Sequence, residues 1–256
     1  MPNNKTHLLF DTSIGMTKPV TIGNQHEGCP FCSKNLLAGI IAEDGPILLV
    51  VNKYPVLRDS FQTVLIETDD CHSEMSVYPK DHLYRVFRFG MEQWQKLIQS
   101  GQYESVIFYK NHGPYSGGTI HHPHMQIVGL KHIDYSRNIV RKSFEGDVIC
   151  QQDGVELNLA TEPRIGFMEF NIKLDGLGHL NLMADYIQMV VHYLLHHFHK
   201  SCNSYNLFFY QLDGKIFAKI MPRFVTSPLY IGYSIPQVST RAQEVLKEIR
   251  SIYLKQ

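Results

Sequence analysis

The stretch that most constrains this chain runs from Gly117 to Leu130: Gly-Gly-Thr-Ile-His-His-Pro-His-Met-Gln-Ile-Val-Gly-Leu. If it is extended from His122 onward, side chains alternate between faces. His122, His124 and Gln126 then project from one side, while Pro123, Met125 and Ile127 face the other. The pattern predicts a strand with one face on a core and the other presenting imidazoles. A neutral imidazole is a competent nucleophile, and with a reference pKa of about 6.5 much of it is neutral at physiological pH. Gly117, Gly118 and Thr119 precede the strand and let a loop backbone approach an anion closely, offering N–H and O–H donors. A phosphate and an attacking imidazole would meet there.

Composition narrows the alternatives. The chain has 256 residues, enough for one large domain or two fused halves with an ample core. Basic and acidic residues balance at 24 each, so no general field draws in nucleic acid or an anionic membrane. No apolar run is long enough to span a bilayer, and the N-terminus lacks the basic-then-apolar pattern of a signal peptide, so the expectation is a cytoplasmic protein. Five cysteines, two of them in Cys29-Pro30-Phe31-Cys32, fit metal ligands plus free thiols better than a disulfide framework. A redox pair and a chance pair of buried thiols are the other readings of that spacing. Metal is preferred because His72 and His122 lie downstream, so that two thiolates and two imidazoles would complete a zinc site.

Along the chain, residues 1 to 28 read as irregular, including His26 and Glu27 just ahead of the cysteine pair. Residues 47 to 51 and 63 to 67 read as strands, with a turn at Asn52-Lys53-Tyr54-Pro55 between them. Phe87, Met91, Trp94 and Ile98 recur at helical spacing. Residues 105 to 110 form the next strand and lead through Asn111-His112-Gly113 into the glycine loop. Residues 131 to 154 read as polar connections. The second half then repeats the order of elements: a strand over 166 to 174, a helix over 181 to 200, a hairpin turning at Asp213-Gly214 and a closing C-terminal helix. His192, His196, His197 and His199 on the long helix are either a second metal site or, as we prefer, a solvated face. In the strand 216 to 223, Lys219 and Arg223 either hold an acceptor phosphate or face solvent.

Taken together, Cys29-Pro30-Phe31-Cys32, Asn52-Lys53-Tyr54-Pro55, Glu67 to Ser73, Lys110-Asn111-His112-Gly113 and His122-Pro123-His124-Met125-Gln126 resemble galactose-1-phosphate uridylyltransferase and its sugar-nucleotide phosphorylase relatives. These form a branch of the histidine-triad superfamily. The resemblance implies an α+β fold of two fused histidine-triad-like halves, each an antiparallel sheet with a packed helix. Residues 1 to 150 would carry the zinc site and the histidine strand, and 151 to 256 a degenerate copy. It implies that His124 attacks an α-phosphate and holds the nucleotidyl group covalently. Gln126 stands where hydrolytic relatives have a third histidine, and its amide can bind a phosphoryl oxygen but cannot act as a general acid. By the same resemblance Asn111, Gly117, Gly118 and Thr119 contact phosphates, Asn52 contacts the nucleoside, and Cys29, Cys32, His72 and His122 hold a structural zinc. The expected ligands are a nucleotide or nucleotide-sugar and a phosphorylated acceptor, with protomers pairing. Met125 replaces a small residue, and the second half lacks the histidine-bearing strand of the classical enzyme. The leading function is nucleotidyl transfer. A hydrolase of nucleotide conjugates, a nucleotide-binding regulatory protein without turnover, and a zinc-stapled interaction module are the alternatives.

Overall fold

A computed structural model describes residues 6–22, 28–34, 37 and 39–254; His26 and Glu27 lie outside them. The histidine strand is β5, His124–Leu130, and its neighbours decide where its side chains go. It lies between β3 (Ser60–Ile66) and β4 (Ser105–His112), antiparallel to both. Among the described residues ten strands make a single sheet. The others are β1 (Ile40–Asp44), β2 (Ile47–Val51), β6 (Gly146–Gln152), β7 (Val155–Ala160), β8 (Phe170–Leu174), β9 (Tyr205–Leu212) and β10 (Lys215–Pro222). The order across the sheet is β1-β2-β3-β5-β4-β9-β10-β8-β7-β6. Counted inward from each outer edge, the two sets of five have the same order. They join where β4 pairs with β9, with Phe108 opposite Phe209 and Asn111 opposite Asn206. The rings of Phe108 and Phe209 stack there at 4.5 Å.

Alternation along β5 sorts the residues as expected. Met125 and Ile127 are buried in the main core, which is closed by α2 (Lys80–Gln99), α3 (Leu180–Tyr193) and α5 (Ala242–Tyr253). Phe87, Met91 and Trp94 of α2 face inward, and the Trp94 indole N–H donates to the Val106 carbonyl at 3.0 Å, so the ring is buried without stranding its polar atom. Gly90 lets α2 approach the sheet, since a Cβ there would run into the Phe108 ring. Short α1 (Thr12–Met16) and α4 (Pro228–Tyr233) lie outside this layer of long helices.

The polar connections expected between residues 131 and 154 contain β6, and β7 follows at Val155. Charged and amide side chains on their outer face mask the alternation. The segment leading into β6 covers the second half's outer face. The Ser143 carbonyl accepts from Lys219 Nζ at 2.6 Å and Asn171 Nδ2 at 3.2 Å, while the Phe144 ring packs edge-on against Tyr210 and Phe217. Lys219 is therefore neither solvated nor available to a phosphate: it is buried and paired with Glu169 at 3.0 Å. The predicted long helix ends at Tyr193 and continues as one π turn, Leu194–Phe198.

Candidate functional site

His124 opens β5 and is buried. Its Nδ1 lies 2.7 Å from the His122 carbonyl oxygen. A carbonyl can only accept, so Nδ1 carries the proton and Nε2 keeps its lone pair. Burial pushes the imidazole pKa down to about 4, against the pull of the His122 carbonyl and with help from the Lys110 ammonium. The ring is thus a neutral base with one defined nucleophilic nitrogen. It lines a cavity of about 300 Å³ with Asn111, His112, Pro114, Ile22 and Asn203.

The same carbonyl belongs to a residue fixed on its other side. The Cys29, Cys32 and Cys71 sulfurs and a His122 ring nitrogen lie within 4.8 Å of one another. His122 Nδ1 is 3.5 Å from Cys29 Sγ and 3.7 Å from Cys32 Sγ. A tetrahedral zinc with ordinary Zn–S and Zn–N bonds has S···N edges of about 3.5 Å, so this donor set fits such an ion. His122 Nε2 meets the Thr68 carbonyl at 2.7 Å, which assigns the proton to Nε2 and leaves Nδ1 free to ligate. Burial and the neighbouring thiols push the Cys71 pKa up to about 12, whereas bonds from His122 and the Phe31 N–H outweigh burial and bring Cys29 down to about 6. Three thiols this close resist ionising together unless a cation joins them.

The fourth donor corrects the expected ligand set: it is Cys71, and His72 is exposed and outside the cluster. The Asp70 carboxylate accepts the His72 backbone N–H at 2.9 Å, fixing a turn in which adjacent side chains diverge. The thiol turns inward and the imidazole goes out beside His121, with ring centroids 6.4 Å apart. Cys3His is the only such cluster of His, Cys, Asp or Glu donors among the described residues, so His192, His196, His197 and His199 do not gather into a second. His192 Nδ1 instead meets the Tyr253 hydroxyl at 2.5 Å.

The loop after β4 forms the wall opposite His124. The Asn111 Oδ1 accepts from Asn206 Nδ2 at 2.7 Å, and that donor also serves the Ser116 carbonyl at 2.9 Å. Asn206 therefore consumes the acceptor end of Asn111 and leaves its amide N–H groups to a ligand. Gly113 has φ +80°, and a Cβ there would overlap the Asn203 carbonyl oxygen, so only glycine fits. Gly118 packs against Asn111, with room for a Cβ only 3.3 Å from the Asn111 side chain. The Thr119 carbonyl accepts from the Thr21 N–H at 2.8 Å, and the Thr21 hydroxyl accepts from the His121 N–H at 2.8 Å. The N-terminal segment is thereby tied over the glycine loop.

Beneath the strand, on the helix side, Lys110 Nζ donates to Glu67 and Tyr78 donates to the same carboxylate at 3.0 Å. Lys110 also reaches the His124 carbonyl at 3.5 Å. His112 stacks on Tyr205 at 4.8 Å, and burial with the nearby Lys110 charge pushes its pKa down to about 3. It is a poor proton donor at neutral pH. Phe31, inside the cysteine pair, sets its ring edge-on to His124 at 5.4 Å.

The structure thus brings together His122, His124 and Asn111 at the cavity, with Gly118 packed against Asn111, while Gly117 and Thr119 do not line it. Gln126 follows two residues along on the same face, opposite Tyr109 of β4 and Val64 of β3. Asn52 is elsewhere: it follows β2 beyond the Val51–Thr63–Ile127 row, and its side-chain carbonyl accepts from the Tyr54 N–H at 2.8 Å. Thr21, Ile22, Asn203 and Asn206 carried no local signal in the sequence, being contributed by segments far from the histidine strand.

An antiparallel α+β sheet of two like-ordered halves, with a histidine strand beside a Cys3His cluster, is a fold shared with solved uridylyltransferase-like structures. A uridylyltransferase structure matches with TM-score 0.69 at 16% identity, over 88% of this chain and 91% of that one. An ADP-glucose phosphorylase from Arabidopsis thaliana, with bound ADP-glucose, matches with TM-score 0.67 at 15% identity over 93% of each chain. These likenesses establish the fold. The chain itself belongs to the family described as a domain of unknown function (DUF4931): residues 10–133 match its N-terminal domain and 136–254 its C-terminal domain. A DUF4931 family protein from Bacillus cereus is 47% identical, with TM-score 0.78 over 84% of this chain and all of that one. A di-/tripeptide transporter from Lactobacillus helveticus is 43% identical over 51 residues, 20% of this chain and 10% of that protein. None of the described helices is long and apolar enough to cross a membrane.

Proposed function

We propose that this protein is a nucleotidyltransferase or phosphorylase that moves a nucleoside monophosphate from a sugar nucleotide or dinucleoside polyphosphate to a phosphorylated acceptor through His124. The observation that carries this reading is the His124 tautomer. Its Nδ1–H is given to the His122 carbonyl and its ring is held neutral, so Nε2 is a ready nucleophile beside a cavity walled by the Asn111 amide. In the first step the Nε2 lone pair attacks the α-phosphorus, the bond to the bridging oxygen breaks, and the leaving phosphate departs with that electron pair. In the second, a phosphate oxygen of the acceptor attacks the same phosphorus and the P–N bond breaks, restoring the imidazole. The His122 carbonyl stabilises the positive charge that the ring acquires in between. The Asn111 and Gln126 amides, with loop donors from Gly117, Gly118 and Thr119, hold the non-bridging oxygens; Asn52 meets the nucleoside farther along the sheet.

Zinc would be held by Cys29, Cys32, Cys71 and His122, where it supplies rigidity to the strand entering His124. Transfer is favoured over hydrolysis because Gln126 cannot donate a proton as an acid and His112 is held neutral. We read the two halves as duplicates of one unit, the second having filled its equivalent face with Ser143 and Phe144. Pairing of protomers is supported by apolar side chains left exposed at Val225, Ile231 and Tyr233. A half-reaction tests the proposal. Without acceptor, one equivalent of leaving phosphate compound per protomer should be released from a competent donor, and none by His124→Ala. Steady release by both proteins would refute it.

A further inference from the structure

Arg223 follows the last residue of β10, its backbone N–H donating to the Ser204 carbonyl at 2.8 Å. Its Nε is buried and finds no hydrogen-bond partner among the described residues, and one terminal nitrogen makes only a long contact, 3.4 Å, to the Thr226 hydroxyl. No carboxylate among the described residues pairs with it. A half-buried guanidinium whose Nε–H is cut off from water and unpaired is a donor waiting for an acceptor, and the shape of its fork matches two oxygens of a phosphate or carboxylate. The side chain lines a cavity of about 340 Å³ whose walls carry Phe167, Phe198, Ser239 and the exposed His199, but no aspartate or glutamate. The second arginine there, Arg241, is already paired with Glu244 and Glu248. His199 Nδ1 accepts the Ser201 N–H at 3.2 Å, so its proton is on Nε2 as a further donor.

The sheet places this cavity in line with His124. β4 and β10 run parallel with β9 between them, so Asn111, Asn206 and Met221 share one row. Arg223 therefore emerges at the sheet end where β5 begins. Three interstrand spacings separate β5 from β10, about 14 Å.

We propose that the Arg223 cavity is a second oxyanion subsite that takes the phosphate group of a phosphorylated small molecule. Its role rests on the nucleotidyl-transfer reading: the bound phosphate is the second, non-reacting phosphate of a bisphosphorylated acceptor whose attacking phosphate lies at His124. The anion binding stands or falls separately. In the ¹⁵N-labelled full-length protein, the Arg223 Nε–H resonance is the one missing from Arg223→Lys. Titration with inorganic phosphate should shift it saturably, with no comparable shift from chloride at equal ionic strength. No shift, or an equal shift with chloride, overturns the subsite. If the His124 half-reaction occurs, Arg223→Lys should charge His124 as the wild type does but discharge it to a sugar bisphosphate at least tenfold more slowly. Equal discharge overturns the role while leaving the anion site. Failure of the half-reaction in the wild type overturns the transfer reading and not the phosphate titration.

Discussion

Lys110→Met gives the sharpest test of how the strand is held. Lys110 and Glu67 are 1% and 0% exposed, and the lysine's other polar contact is the His124 carbonyl at 3.5 Å. Removing the ammonium leaves a carboxylate in apolar surroundings with the Tyr78 hydroxyl as its remaining side-chain partner. Breaking a buried pair from one side costs about 3–5 kcal/mol. For a chain of this size each kcal/mol lowers the melting temperature by roughly 2–4 °C, so Lys110→Met should melt about 6–20 °C below the wild type in a calorimetric scan at pH 7. The double variant Lys110→Met/Glu67→Gln has no stranded charge and should recover most of that loss. A single variant melting within about 2 °C of the wild type, or a double variant no better than the single, would refute the claim that this pair is desolvated under the histidine strand.

Other expectations follow from the site. His124 has its pKa pushed down to about 4, so the release of leaving group that accompanies adduct formation should be flat from pH 8 to about 5; a fall centred near 6.5 would place the ring in water. Between those pKa values the unfolded chain binds a proton that the folded one does not, so stability is full above about 6.5 and declines as pH falls, by about 3 kcal/mol for His124. Denaturant titrations at pH 7 and 4.5 measure that decline. Cys71→Ser should lose bound metal, read by elemental analysis of the purified protein, while His72→Ala should retain it; the opposite pattern would reinstate a Cys2His2 set. Asn206→Leu strands the Asn111 and Ser116 oxygens, so it should cost about 1–3 kcal/mol of stability and slow leaving-group release about tenfold, a purely structural role being excluded if release is slowed at temperatures where the variant is still fully folded.

Much of the first half was legible because its signals are local. The alternation over 122–127 places Met125 and Ile127 in the core, and the helical spacing of Phe87, Met91 and Trp94 marks the inward face of α2. What was not legible depends on folding at a distance. Cys71 and His72 are neighbours with equal claims as ligands, and only the Asp70 turn decides between them. Asn206 acts on Asn111 solely because β9 pairs with β4 across the junction. Thr21 and Ile22 reach the glycine loop from a segment that shows no periodicity. Lys219 reads as a phosphate-holding or solvent-facing charge until the Ser143 segment covers it and Glu169 pairs with it.

The central claim is a covalent bond between His124 Nε2 and phosphorus. Intact mass, recorded under mildly alkaline conditions after incubation with a panel of sugar nucleotides and dinucleoside polyphosphates, tests it most directly. The account predicts a gain equal to one nucleoside monophosphate, mapped by fragmentation to the peptide carrying His124, absent in His124→Ala and discharged by a phosphorylated acceptor. No gain with any donor, in a protein whose melting temperature nucleotides nonetheless raise, would contradict it and leave a nucleotide-binding protein without turnover.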